Sequence, residues 1–202
     1  MNTLSKTKLE AWFNKYCMNK KIYKNTIAEN GISPKSLSYI AASLSYRASV
    51  LRALNIGNKK EEASQARKEG EQIIADFLFS CYNSAPSTVD IVAEKWEQIR
   101  TIYKQKGIDD YTYGNAQKWV NMSIKYYIAL LSNENLPCES LMKIPVFPVD
   151  GIMINHIKRN LKISFPCAWS KCDNKADFIE YLNKVNKSTE ETLFEFELNA
   201  WS

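Results

Sequence analysis

Apolar residues recur three and four positions apart along most of the chain, the spacing that lines one face of an α-helix. Leu4, Leu9, Trp12, Phe13 and Tyr16 form the first such face, with Asn2 or Ser5 placed to cap it. Ser33-Pro34 reads as a cap followed by proline at the first helical position. It opens a run of Leu37, Ile40, Ala41, Leu44, Ala48, Leu51 and Leu54 that stops before Gly57. A third run goes from Lys59 to Phe79 through Ala63, Ala66, Gly70, Ile73, Ile74 and Phe77. Ser87-Thr88-Val89-Asp90 has the form of a capping box. It leads into Ile91, Val92, Trp96, Ile99, Ile102 and Tyr103, and Gly107 ends that run.

The second half continues the pattern. Asn115 to Leu131 predicts a helix with Trp119, Val120, Ile124, Tyr127, Ile128 and Leu131 facing inward. Pro145-Val146-Phe147-Pro148-Val149 predicts extended chain, because each proline removes a donor and biases its predecessor away from helix. Asp150 is then placed to cap a helix containing Ile152, Met153, Ile154, Ile157 and Leu161. Asp173 is expected to cap a helix with Phe178, Ile179, Leu182 and Val185, and Ser188 to Glu191 a last one with Leu193, Phe194 and Phe196. No repeat, linker or alternating strand pattern interrupts this. The expectation is an all-α bundle of about eight to ten helices, a single domain over 1–202 with a possible cleft between two lobes near 107–157.

Composition narrows the class without naming a function. The 202 residues are 45% hydrophobic and 24% charged with six Gly and six Pro, which excludes disordered and collagen-like chains. No apolar run approaches the roughly 20 residues of a membrane span, and the first residues lack the apolar stretch of a leader. A soluble cytoplasmic chain without a membrane partner is expected. Lysine outnumbers arginine 22 to 5, which reads as the codon bias of an AT-rich bacterial or phage genome. The net charge of +5 is uneven: residues 1–35 hold seven Lys against two acids, and residues 173–202 seven acids against three Lys. A basic front permits a polyanionic partner, and the acidic tail would repel phosphates. The five cysteines, Cys17, Cys81, Cys138, Cys167 and Cys172, are an odd set without regular spacing and are expected to be reduced thiols.

Candidate chemistry lies between Trp96 and Ile157. A helix ending at Lys106-Gly107 is followed by a turn, Ile108 to Gly114, and by Asn115-Ala116-Gln117-Lys118-Trp119 at the head of the next helix. Pro148-Val149-Asp150 opens a later one, 32 positions after Lys118. This arrangement resembles the helix-hairpin-helix DNA glycosylase superfamily, and within it the archaeal 8-oxoguanine glycosylase branch. There a lysine in a Gln-Lys pair near the start of the hairpin's second helix shares a cleft with an aspartate that follows Pro-Val. Gln117-Lys118, Ile144-Pro145 and Pro148-Val149-Asp150 carry the likeness, over about sixty residues. It implies duplex DNA with a modified base as substrate, Lys118 as nucleophile and Asp150 as its electrostatic partner, without a cofactor.

The chemistry of those residue types agrees. An aspartate at a helix N-terminus is held ionised by backbone N–H groups and the helix dipole, suited to stabilising positive charge on a sugar. A lysine amine attacks the sugar carbon to form a Schiff base, and the first turn of a helix disfavours its protonated form. An extruded base needs aromatic or apolar faces, for which Trp119, Tyr111, Tyr113 and Phe147 are candidates. Backbone N–H groups of the turn, with Gly107 and Gly114 allowing close approach, are candidates for a phosphate. Lys125, two turns beyond Lys118, is the competing nucleophile. Pro166 to Lys171 places Trp169 either to dock the last helices or to close over a ligand near Asp150.

Each of these residues also has a plain structural use: Asp150 as a cap, Lys118 as a solvated lysine, Trp119 as core. The family's Leu-Pro-Gly-x-Gly hairpin is replaced here by Tyr111-Thr112-Tyr113-Gly114, and only Cys167 and Cys172 follow the aspartate helix, too few for an iron–sulfur cluster. Cys138, His156, Cys167 and Cys172 include no close zinc-ligand pair, so no metal is expected. Neither a Gly-x-Ser-x-Gly elbow nor a phosphate loop is present. The alternative to a glycosylase is a non-catalytic helical protein that binds nucleic acid or mediates a phage–host interaction.

Overall fold

The computed structural model describes residues 3–17, 20–49 and 58–200, and these are all-α, with no strand among them. The helices are α1 (Thr3–Tyr16), α2 (Lys21–Asn30), α3 (Pro34–Ser49), α4 (Lys60–Asn83), α5 (Val89–Gln105), α6 (Tyr113–Asn133), α7 (Gly151–Asn160), α8 (Lys175–Ser188) and α9 (Leu193–Ala200). Short 3-10 turns lie at Leu141–Lys143 and Trp169–Lys171. Asn2, Leu51, Leu54 and Gly57, read above as helix-end and face residues, lie outside the described residues. No described helix is long and apolar enough to cross a membrane.

α6 is the axis of the molecule, with α1, α3, α4 and α5 packed around it. α8 lies on α5, and α9 bridges α1, α7 and the Leu141–Lys143 turn. The buried side chains form one cluster from Leu9 to Leu198, to which residues 107–157 contribute heavily. α3 approaches α6 closely because it presents Ala41, Ala42 and Ser45, all buried, and Ser45 Oγ meets Ser123 Oγ at 2.6 Å. Trp119 lies under this contact, its Nε1 donating to the Ala42 carbonyl at 3.0 Å.

Several starts and stops follow the residues, and three do not. Ser33 caps α3, accepting from Ser36 N–H at 3.1 Å, and Asp150 caps α7. Thr88, not Ser87, stands at the N-cap of α5 and makes no side-chain cap bond. α8 is capped by Asn174, because the Asp173 carboxylate is engaged by Arg100. Ser188 is the last residue of α8. Ahead of α9 it is Thr192 that accepts from Glu195 N–H, at 3.3 Å. The sequence reading omitted α2, whose Ile22, Tyr23, Thr26 and Ile27 do carry helical spacing within a lysine-rich stretch.

Gly70 is where α4 crosses Trp119: a Cβ there would stand 2.7 Å from the indole ring. Trp119 is fully buried and tethered to Ala42, so the ring cannot retreat. Helix propensity favours alanine by about 0.8–1.0 kcal/mol, whereas overpacking costs about 1–3 kcal/mol. Gly70→Ala is therefore expected to lower stability by about 1–2 kcal/mol in urea unfolding, against the propensity rule.

Candidate functional site

From Tyr113 to Leu131 every residue of α6 is buried except Lys118. That lysine is 15% exposed in its side chain, and its Nζ lies 3.2 Å from Asp150 Oδ2, on a side chain 8% exposed. Asp150 divides its oxygens between two tasks. Oδ1 accepts from the N–H groups of Ile152 and Met153 at 3.0 and 3.1 Å, closing the first turn of α7, and Oδ2 meets the amine. Above the amine stands the Trp169 ring, 4.6 Å from Nζ to its centroid, the geometry of a cation–π contact.

The approach of Asp150 to Lys118 is set by polar residues inside α6. Gln117 Nε2 donates to the Val149 carbonyl at 2.8 Å, and its Oε1 accepts from Val149 N–H at 3.0 Å. One turn on, Asn121 Nδ2 donates to the Phe147 carbonyl at 2.9 Å, while its Oδ1 accepts from Trp96 Nε1 at 3.1 Å. Prolines at 145 and 148 leave this extended segment without a ladder of its own. The two buried amides supply the missing partners and deliver the chain to Asp150. Gln117 thus positions the site. Asn121, which the sequence reading passed over, is legible as an amide four residues after Gln117 in a mainly apolar helix.

The N-terminus of α6 is closed by the chain itself, which corrects the phosphate-binding expectation for Gly107 and Gly114. Tyr113 N–H donates to Asp173 Oδ1 at 3.2 Å, Gly114 N–H to the Cys172 carbonyl at 3.1 Å, and Asn115 N–H to Thr112 Oγ1 at 3.3 Å. A Cβ on Gly114 would fall 1.8 Å from the Trp169 carbonyl oxygen, so glycine is required for the loop to dock. Gly107 carries a positive φ of 72°, and its carbonyl accepts from Lys59 Nζ. The loop is fastened further by Thr112 Oγ1, which donates to the Ser170 carbonyl, and by Arg100, paired with Asp173 at 2.6 and 2.7 Å. That pairing holds the Asp173 carboxyl below its ordinary range, with the Arg100 hydrogen bond as the main cause and burial opposing it.

The remaining candidates are core residues. Trp119 and Tyr111 are fully buried and Phe147 is 1% exposed, so none presents a face to a base. Tyr111 stacks on Tyr103 at 3.8 Å, and burial raises its hydroxyl well above the usual value. Tyr113 donates its hydroxyl to Glu97 and is pushed up to about 12, by burial first and then by that carboxylate. Lys125 is 1% exposed, and its Nζ is paired at 2.7 Å with Glu197, itself 2% exposed. Burial raises the Glu197 carboxyl, opposed by Lys125, and the neighbouring Asp150 carboxylate adds to the rise. The aromatic face at Lys118 is Trp169. No family model matches the chain, and neither a curated protein nor a solved structure does.

Two expectations follow from this geometry. Lys125→Ala strands the Glu197 charge in the core and should cost about 3–5 kcal/mol in chemical denaturation. The double replacement Lys125→Met with Glu197→Leu should lose far less, because no charge is left behind. For the loop, a carboxyl held low in the folded state contributes stability above its ordinary range and loses it as pH falls through the folded value. The stability difference between wild type and Asp173→Asn should therefore be constant near neutrality. It should vanish below the ordinary aspartate range, as read by urea melts across pH.

Proposed function

We propose that this chain is a DNA glycosylase with lyase chemistry, removing a modified base through Lys118 and Asp150. The observation that carries the reading is the 3.2 Å pairing of these two side chains, at the one position between Tyr113 and Leu131 where α6 is not buried. Their residue types, their order and the Pro-Val-Asp segment between them are those of the resemblance drawn from the sequence.

Asp150 Oδ2 first takes a proton from the paired ammonium. Nζ then attacks the sugar C1′, forming an N–C1′ bond as the glycosidic C1′–N bond breaks, and the base leaves with the bonding pair and collects that proton from Asp150. Asp150 Oδ2, one hydrogen bond away, accepts the proton that the amine gives up and faces the positive charge that develops on the sugar. The nitrogen lone pair then expels O4′ from C1′ to give a protonated imine, and the proton held on Asp150 passes to O4′. Trp169, resting on the amine, must swing aside to admit the sugar, and its ring then offers a stacking face to the extruded base.

Borohydride trapping on duplex oligonucleotides carrying 8-oxoguanine, uracil or an abasic site tests the reading. A covalent adduct on a base-containing duplex is expected from wild type and from the Lys125→Met, Glu197→Leu pair, and none from Lys118→Ala. Asp150→Asn should slow adduct formation by about 10²–10⁴-fold. Trapping on abasic DNA alone does not count, since stray lysines react there. Salt-dependent duplex binding with neither adduct nor released base would replace the enzyme by the non-catalytic binding protein.

A further inference from the structure

The loop that carries Trp169 also carries two cysteines, and the fold brings a third donor to them. Cys167 precedes the Trp169–Lys171 turn and Cys172 follows it, while Asp177 stands in the first turn of α8. The two sulfurs and a carboxylate oxygen lie within 4.8 Å of one another, and Cys172 Sγ is 3.6 Å from Asp177 Oδ2. Zinc bonds of about 2.3 Å to sulfur and 2.0–2.2 Å to oxygen put tetrahedral S–O edges near 3.5–3.6 Å and S–S edges near 3.8 Å.

We propose that Cys167, Cys172 and Asp177 bind a thiolate-preferring divalent cation of the zinc class, with water in the fourth position. The donor set selects the ion: two soft sulfurs disfavour magnesium and calcium, and a hard oxygen completes a zinc-like shell. Asp177 is spare for this purpose, because Asn174 already caps α8 through Ala176 N–H. A disulfide between the two cysteines would leave the convergent carboxylate without a use. A cavity of about 200 Å³, lined by Ser164, Pro166, Asp177, Glu180, Tyr181 and Lys184, opens beside Asp177. Cys138 and His156, grouped with these cysteines from the sequence, are not part of the cluster.

The consequence is mechanical. Binding ties both ends of the Trp169 turn to α8, fixing the loop whose carbonyls hold Gly114 N–H and Thr112 and whose ring lies on Lys118. This site stands apart from the glycosylase reading, because metal binding is measured without DNA.

The test is cobalt(II) titration of the reduced full chain, followed by zinc displacement. One equivalent should give sulfur-to-cobalt charge-transfer and tetrahedral ligand-field bands, both erased by zinc. Zinc should also protect Cys167 and Cys172 from alkylation, read by mass spectrometry. Cys167→Ser, at an exposed position that leaves packing intact, should abolish the charge-transfer signature of a two-sulfur site. Asp177→Asn should weaken binding about a hundredfold, the upper end of what even outer partners of a metal cost. Cys81→Ser, elsewhere in the core, should change nothing. The proposal is overturned if no charge-transfer band appears at ten equivalents of cobalt, if the band survives unchanged in Cys167→Ser, or if zinc protects neither cysteine.

Discussion

Polar side chains without partners are costly in a helix as buried as α6, which carries Asn115, Gln117, Lys118, Asn121, Ser123 and Lys125. An unpaired buried amide or hydroxyl costs roughly 1–3 kcal/mol, and an unpaired buried charge several. The surrounding chain meets that demand for all of them but Asn115, whose buried side-chain amide has no hydrogen-bond partner. Ser45 and the Trp119 carbonyl take Ser123, the 147–149 backbone takes Gln117 and Asn121, Asp150 takes Lys118, and Glu197 takes Lys125. Much of the C-terminal third is placed by these obligations. Two prolines deny the 145–149 segment secondary structure of its own, and α6 has amides in need of carbonyls, so each completes the other.

The fold was legible where the apolar spacing is regular and the caps are local. α3, α5, α6 and α7 sit where Ser33-Pro34, Gly107, Trp119 and Asp150 placed them, with ends displaced by a few residues. α2 escaped because its two lysines, next to Lys20, and few large apolar residues blur its periodicity. The misplaced caps have separate causes. Asp173 and Ser188 have the right chemistry for capping, but Asp173 is claimed by Tyr113 N–H and Arg100, across 60 and 73 residues, and α8 runs on through Ser188. Local sequence ranks possible caps; a distant partner decides between them.

The candidate site divides along the same line. Lys118 and Asp150 were readable as a motif, and the structure brings them within 3.2 Å. The aromatic residues nearest to them in sequence turned inward instead. Trp119 and Tyr111 follow the helical face and the turn into the core, since burying a large ring gains more than any exposed use could. Trp169, fifty-one residues beyond Lys118, supplies the face because Gly114 admits its carbonyl and Arg100 anchors the loop.

On the proposed glycosylase reading, the two lysines of α6 divide into chemistry and architecture. They lie two turns apart on the same helix, each paired with a carboxylate, and the two carboxylates feel one another. The ordering of charges is therefore cation, anion, anion, cation along one seam. Lys125 and Glu197 are sealed at 1% and 2% exposure, so their pairing cannot be exchanged without opening the core. Lys118 ends at 15% exposure under a single ring on a loop held by hydrogen bonds and one partly exposed ion pair. Moving that loop costs far less than unpacking α9. The proposed chemistry, in which a lysine trades its carboxylate contact for a sugar carbon, calls for this arrangement: a desolvated pair with one movable wall.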